Sequence, residues 1–251
     1  AFADAIPISG TFELTPRCNF NCRMCYVHLK EEQISKYGSE LTAKEWLRIA
    51  EEGKRAGMMW LCVTGGEPLM HPEFEVIWKE LSQMGFFITL QTNASLIRGK
   101  MAELLEQYPP RCVKTTLYGS NDEVYEKVCG IKQGFSKVNE GIQILKQLKI
   151  PVEAVSTIIE QNKDDVRGIA FYAFQNKIPW QPTAGVKSSV RNEGDEIETV
   201  RIQNIDENIW KRQMEERLEK HPVNIERKPC TYCKDYRLGY WITWNGQMRF
   251  C

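Results

Sequence analysis

The chain has 251 residues and its 33 basic and 33 acidic side chains cancel, which removes the long-range pull on nucleic acid that a basic protein exerts. A composition that is 42% hydrophobic and 26% charged excludes a disordered chain. No apolar run is long enough to span a membrane and no signal peptide opens the sequence, so a cytoplasmic protein without a membrane partner is expected.

Strand-like and helix-like segments alternate, as in repeated βα units around a parallel sheet. The first strand reads Gly10 to Leu14. A helix starts near Thr42, where Thr42 and Glu45 form a capping box ahead of Trp46, Leu47 and Ile49. The second strand, Trp60 to Val63, ends in Thr64-Gly65-Gly66-Glu67-Pro68. Its helix begins near Pro72 and stops at Gly85, with Phe74, Ile77, Trp78 and Leu81 on one face. A third strand covers Phe86 to Thr92, with a helix over Gly99 to Gln107. A fourth covers Cys112 to Leu117, then a loop and a helix from Ser136 to Leu148. The fifth is Val152 to Ile159, with a helix from Lys163 to Asn176, and a sixth begins near Ile178. The polar stretch Lys187 to Thr199 reads as a loop and Lys30 to Gln33 as a solvated turn. Asp206 caps a last helix carrying Ile209, Trp210, Met214 and Leu218. Beyond Pro229 the chain changes to a cysteine-bearing segment in which Asn245-Gly246 predicts a type I′ hairpin turn. The start at Ala1 and the stop at Cys251 read as cuts within a longer protein.

Nine cysteines, an odd number with three packed into Cys18-Asn-Phe-Asn-Cys22-Arg-Met-Cys25, do not form a secreted disulfide framework. Thiolates are soft ligands for iron–sulfur clusters or zinc. Three in one loop hold three corners of a [4Fe–4S] cluster, and with no fourth cysteine nearby in the sequence one iron stays open to an outside ligand. A structural zinc site is the alternative for the same side chains. Cys62, Cys112 and Cys129 read as small buried hydrophobes, and His28, His71 and His221 as surface or satisfied residues.

The C-x-x-x-C-x-x-C run after the first strand resembles the signature of the radical S-adenosylmethionine superfamily, over the βα units from residue 8 to residue 221. The resemblance implies a partial (βα)6 TIM-like barrel. It also implies a [4Fe–4S] cluster on Cys18, Cys22 and Cys25 whose open iron binds S-adenosylmethionine, and a reduced flavodoxin- or ferredoxin-type electron donor. Gly65-Gly66-Glu67-Pro68 is similar to the family's GGEP motif. There the glycines admit the cofactor to the backbone and Glu67 offers a carboxylate to its ammonium group. Asn93 after the third strand and Thr116 at the end of the fourth match positions near the cofactor; Ser156 and Thr157 are weaker matches. Met24 stands where relatives place an aromatic residue by the adenine, with Tyr26 close behind. Relatives use an Arg beyond the fourth strand for the cofactor carboxylate. None occurs here between Arg111 and Arg167, which leaves Lys127 and Lys132 as substitutes.

Cys230, Cys233 and Cys251, spaced around Gly246, resemble the opening of a SPASM or twitch extension, which implies at least one auxiliary iron–sulfur cluster; a zinc knuckle is the alternative. This divides the chain into a barrel, 1–221, and the start of an auxiliary-cluster segment, 222–251. Relatives with such extensions mostly modify peptides or proteins. The implied function is therefore formation of a thioether or carbon–carbon crosslink in a ribosomally made peptide. The alternatives are small-molecule chemistry in cofactor biosynthesis and a zinc-stabilised binding module with no enzymatic role.

Overall fold

The computed structural model describes residues 7–27, 29–186, 197–202 and 239–249. Six strands lie parallel and in chain order: β1 (Ser9–Glu13), β2 (Trp60–Thr64), β3 (Phe87–Thr92), β4 (Cys112–Thr116), β5 (Val152–Thr157) and β6 (Trp180–Thr183). Between them run α1 (Glu31–Tyr37), α2 (Ala43–Arg55), α3 (Phe74–Gln83), α4 (Lys100–Gln107), α5 (Asp122–Cys129), α6 (Gly134–Gln147) and α7 (Val166–Gln175), and after β6 comes a short α8 (Ile197–Val200). This is the expected α/β class with a parallel sheet. Two further strands, β7 (Gly239–Ile242) and β8 (Met248–Arg249), continue the sheet beyond β1, giving the order β6-β5-β4-β3-β2-β1-β7-β8. β7 runs parallel to β1, and β8 returns antiparallel to β7.

The strands alternate, and the two faces differ. Phe12, Leu61, Val63, Ile88, Leu90, Val113 and Ala154 are buried beneath the helices. Trp46 of α2 packs on Phe12 with ring centroids 5.0 Å apart, and Phe74, Ile77, Trp78 and Leu81 of α3 are buried as their spacing predicts. The opposite face carries Thr64, Gln91, Lys114, Thr116, Val155 and Thr157, which line a cavity. α2 begins where its capping box places it, with Thr42 N donating to Glu45 Oε2 at 2.8 Å.

Four local readings are corrected. Residues 30–33 open α1 rather than forming a solvated turn: Lys30 N donates to Gln33 Oε1 at 2.8 Å, and Ile34 is buried against Leu29 and Trp244, a long-range contact that local sequence does not show. The expected loop before residue 136 contains α5. Its signals were present, namely Asn121 capping Val124 N at 3.0 Å, acidic residues in the first turn and Gly130 left-handed at its end. The hairpin turn is not type I′. Gly246 N bonds Thr243 O at 2.9 Å, and of the loop residues only Gly246 has positive φ (82°), which makes a three-residue loop with a glycine bulge. The expected loop 187–199 ends in α8. The helix expected after Asp206, the residues His28 and His221, and the cysteines expected to hold an auxiliary cluster, Cys230, Cys233 and Cys251, lie outside the described residues.

The hairpin is anchored to the segment that follows the cysteine loop. Trp244 is fully buried with Leu29, Ile34 and Tyr37; its carbonyl accepts from Leu41 N at 2.9 Å, and Asn245 Nδ2 donates to Tyr37 O at 2.7 Å. β7 itself docks through Tyr240, whose hydroxyl would lie 2.4 Å from a Cβ on Gly53, so only glycine admits it there. Trp244→Ala should therefore cost about 3–5 kcal/mol in urea unfolding and raise amide exchange selectively over residues 29–41. Unchanged exchange in that segment would show that the hairpin does not hold it.

Candidate active site

The carboxyl ends of β1 to β6 surround a cavity of about 310 Å3 lined by Cys18, Cys22 and Cys25 on one side and by the polar strand face on the other. The cysteine loop leaves β1 and is pinned from both flanks. On the β2 side, Gly66 N bonds Thr15 O and Glu67 N bonds Arg17 O, each at 2.7 Å. A Cβ on Gly66 would sit 2.4 Å from Arg17 O, so the Gly65-Gly66 pair is required for this approach. On the other flank, the C-terminal carbonyls of α5 take the loop's amides: Asn21 N to Cys129 O at 2.9 Å, Arg23 N to Val128 O at 3.0 Å, and Arg23 Nε to Lys127 O at 2.9 Å. The loop thereby satisfies a helix end that would otherwise lack donors. Arg17 is fixed in turn by ion pairs to Glu31 and Glu40.

Burial pushes the Cys18 and Cys22 thiols well above their ordinary range; Cys22 is raised first by a hydrogen bond with the Cys129 thiol and then by burial. Such thiols ionise when a metal compensates the charge. Donors to the first sulfur are already in place: Phe20 N lies 3.4 Å from Cys18 Sγ and Asn93 Nδ2 lies 3.9 Å from it. Among the described residues, no three His, Cys, Asp or Glu side chains converge on a point that could hold one metal ion. A tetrahedral zinc needs its thiolates about 2.3 Å from a single centre, whereas a cluster takes each on a separate iron. The donor set, all sulfur and facing one cavity, fits a [4Fe–4S] cluster. Cys129 is fully buried and does not line the cavity, so it stands behind Cys22 and not at a fourth corner.

Gly65, Gly66, Asn93 and Thr116 all line the cavity. Asn93 is buried and braced by Asn19 Oδ1 at 2.8 Å and by Ser95. Glu67 does not line the cavity. It is fully buried and accepts from Thr92 Oγ1 at 2.7 Å, Asn93 N at 2.8 Å and Leu69 N at 3.2 Å, binding the end of β2 to the end of β3. Burial pushes its carboxyl up to about 7 against the downward pull of these donors. Pro68 is buried in the short turn Pro68–Met70, and Met24 is buried in the core while Tyr26 and Val27 line the cavity. The Ser156 hydroxyl is spent on Leu117 O and the Trp180 indole. Lys127 pairs with Glu123 on the surface, and neither it nor Lys132 lines the cavity.

The residue the sequence reading missed is Lys114, which lines the cavity and pairs with Glu153 at 3.2 Å. Its two-residue spacing from Thr116 places both on one strand face and was the available signal. Cys112 is buried as expected and Cys62 half-buried, and both lie on the strand face that carries Gln91 and Lys114. Burial pushes Cys62 up to about 11 against the pull of Lys114, and Cys112 is raised by burial and by Glu153. His71 is satisfied as expected, its Nδ1 accepting from Glu73 N at 3.1 Å and its Nε2 meeting Leu41 O at 3.0 Å.

Residues 12–173 match the Radical SAM superfamily. The chain is 28% identical over 166 residues to the antilisterial bacteriocin subtilosin biosynthesis protein AlbA of Bacillus subtilis, covering 66% of this chain and 36% of AlbA. It is 27% identical over 156 residues to the AdoMet-dependent heme synthase of Methanosarcina barkeri, covering 62% and 44%. In three dimensions it is similar to Streptococcus suis SuiB bound to S-adenosylmethionine, with a TM-score of 0.75 and 15% identity over 98% of this chain and 60% of SuiB. SuiB has also been solved with its precursor peptide SuiA and resembles the chain at a TM-score of 0.71. The chain spans less than half the length of these two curated relatives. With a parallel sheet of the right order, a three-cysteine loop at its carboxyl edge and a family match over most of its strands, the chain belongs to the Radical SAM superfamily.

Proposed function

We propose that this chain is the catalytic part of an enzyme that cleaves S-adenosylmethionine reductively and modifies a peptide, most simply by a thioether or carbon–carbon crosslink in a ribosomally made precursor. One observation carries the reading: three thiols of one rigid loop face a cavity whose remaining wall is polar strand. Family membership implies the [4Fe–4S] cluster and S-adenosylmethionine. Cys18, Cys22 and Cys25 would hold the cluster, which supplies with the bound cofactor reductive cleavage of a sulfonium C–S bond and then hydrogen-atom abstraction.

The chain's own residues position and enclose. The Gly65-Gly66 backbone offers a side-chain-free approach, Asn93 and Thr116 present polar groups, and Tyr26 and Val27 replace Met24 as the contacts available to an adenine. The surrounding strands limit water at the reacting atoms. The peptide reading is supported by AlbA, named for bacteriocin biosynthesis, and by the precursor-bound SuiB structure. The heme synthase similarity supports small-molecule chemistry as the second reading. An auxiliary cluster on Cys230, Cys233 and Cys251 belongs to the same proposal. The β7–β8 hairpin, which returns the chain at Arg249 beside Trp241, supports it. An electron donor of the flavodoxin or ferredoxin type and a cytoplasmic setting complete it. Among the described residues, no helix is long and apolar enough to cross a membrane.

Co-expression with a cognate precursor peptide should yield a peptide lighter by two hydrogens for each bond formed. An unaltered peptide, together with turnover of a cofactor precursor by the same preparation, would favour the small-molecule reading. Because Glu67 braces strand ends, Glu67→Gln should lower stability by about 2 kcal/mol while leaving the Kd for S-adenosylmethionine within a few-fold. A variant as stable as the parent that no longer binds the cofactor would instead restore the carboxylate–ammonium contact.

A further inference from the structure

The floor of the cavity carries one feature that cluster and cofactor binding leave unused. Gln91, Lys114 and Glu153 stand side by side on β3, β4 and β5, in register as direct Cα partners. Among the described residues, Lys114 is the one charged side chain that lines the cavity; Gln91 lines it too, and Glu153 does not. Glu153 takes Lys114 Nζ at 3.2 Å, and both side chains are about a third exposed. The ammonium has three protons, and Glu153 occupies one direction; a third of the Lys114 side chain remains exposed. What the floor presents is therefore a fixed cation beside an amide that donates from its nitrogen. That set matches a carboxylate, with one oxygen on Nζ and the other on the Gln91 amide.

Depth along the strand distinguishes the two molecules that could bring such a group. Lys114 lies two residues before Thr116 on β4, back from the carboxyl edge of the sheet at which the cysteines, Gly65 and Gly66 line the cavity. A cofactor held by a cluster on the loop would be bound from that edge, which would leave the deeper strand positions to a second occupant. We infer that Lys114, aided by Gln91 and positioned by Glu153, selects a substrate with a carboxylate, an Asp or Glu side chain or a peptide C-terminus, beside the hydrogen to be removed. This rests on the peptide reading above.

The test offers cluster-loaded protein, with S-adenosylmethionine present, a pool of N-acetylated hexapeptide amides built as twins that differ only in Glu for Gln or Asp for Asn, and reads retention by mass spectrometry. Acidic twins should be retained at least about tenfold over their amides, the size of one hydrogen bond to a charged group. Lys114→Gln should abolish the preference, Lys114→Arg should retain it, and Lys163→Gln, which removes a surface charge paired with Glu160, should not change it. No preference in the parent, or a preference that survives Lys114→Gln, overturns the inference. So does a Lys114→Gln variant that loses affinity for S-adenosylmethionine but not for its decarboxylated analogue, since that assigns Lys114 to the cofactor. Formation of 5′-deoxyadenosine by the same preparation separates the two levels: if it forms while the twins are retained equally, the selection by Lys114 fails and the radical chemistry stands.

Discussion

Three thiols must be presented together at one edge of a sheet, and the surrounding structure is organised around that demand. A free loop of eight residues would not hold them, because backbone entropy costs about 1–2 kcal/mol for each residue ordered. Here the loop spends its amides on the C-terminal carbonyls of α5, and its own carbonyls at Thr15 and Arg17 on the amides of Gly66 and Glu67. Each flank gains from the contact: a helix end is capped, and a glycine turn is fixed against β1. The glycines of the second strand end thus hold the loop in place as well as leaving room for a ligand.

The second layer of support is polar and buried. The Glu67 carboxylate gathers three donors from the ends of β2 and β3, and Asn93, held by that network, turns its amide toward Cys18. A charge so enclosed is costly unless fully hydrogen-bonded, and both of its oxygens are engaged. The hairpin forms a third layer, closing over Leu29 and Ile34 just after the loop. The site is rigid through these shells, and the cavity below it is left to polar side chains.

Most of the fold was legible because parallel strands and amphipathic helices follow local rules. Phe74, Ile77, Trp78 and Leu81 announced α3, and Thr42 with Glu45 announced α2. The cysteine spacing identified the loop directly. What local sequence did not show was the direction of side chains at strand ends. Glu67 sits in a motif, yet only the tertiary position of Thr92 and Asn93 turns its carboxylate inward. Cys62 and Cys112 looked like parts of apolar strands, although alternation with Thr64 and Thr116 already put them, with Lys114, on the polar face. The turn at Asn245-Gly246 follows a general preference that the tertiary bond from Asn245 to Tyr37 overrides.

The account depends on a cluster with one iron left for S-adenosylmethionine. Anaerobically reconstituted protein supplied with dithionite and S-adenosylmethionine should release 5′-deoxyadenosine and methionine together, and Cys22→Ala should lose both the bound iron and the product. Iron-loaded parent protein that releases no 5′-deoxyadenosine, or a Cys22→Ala variant that keeps its iron and its turnover, would contradict it.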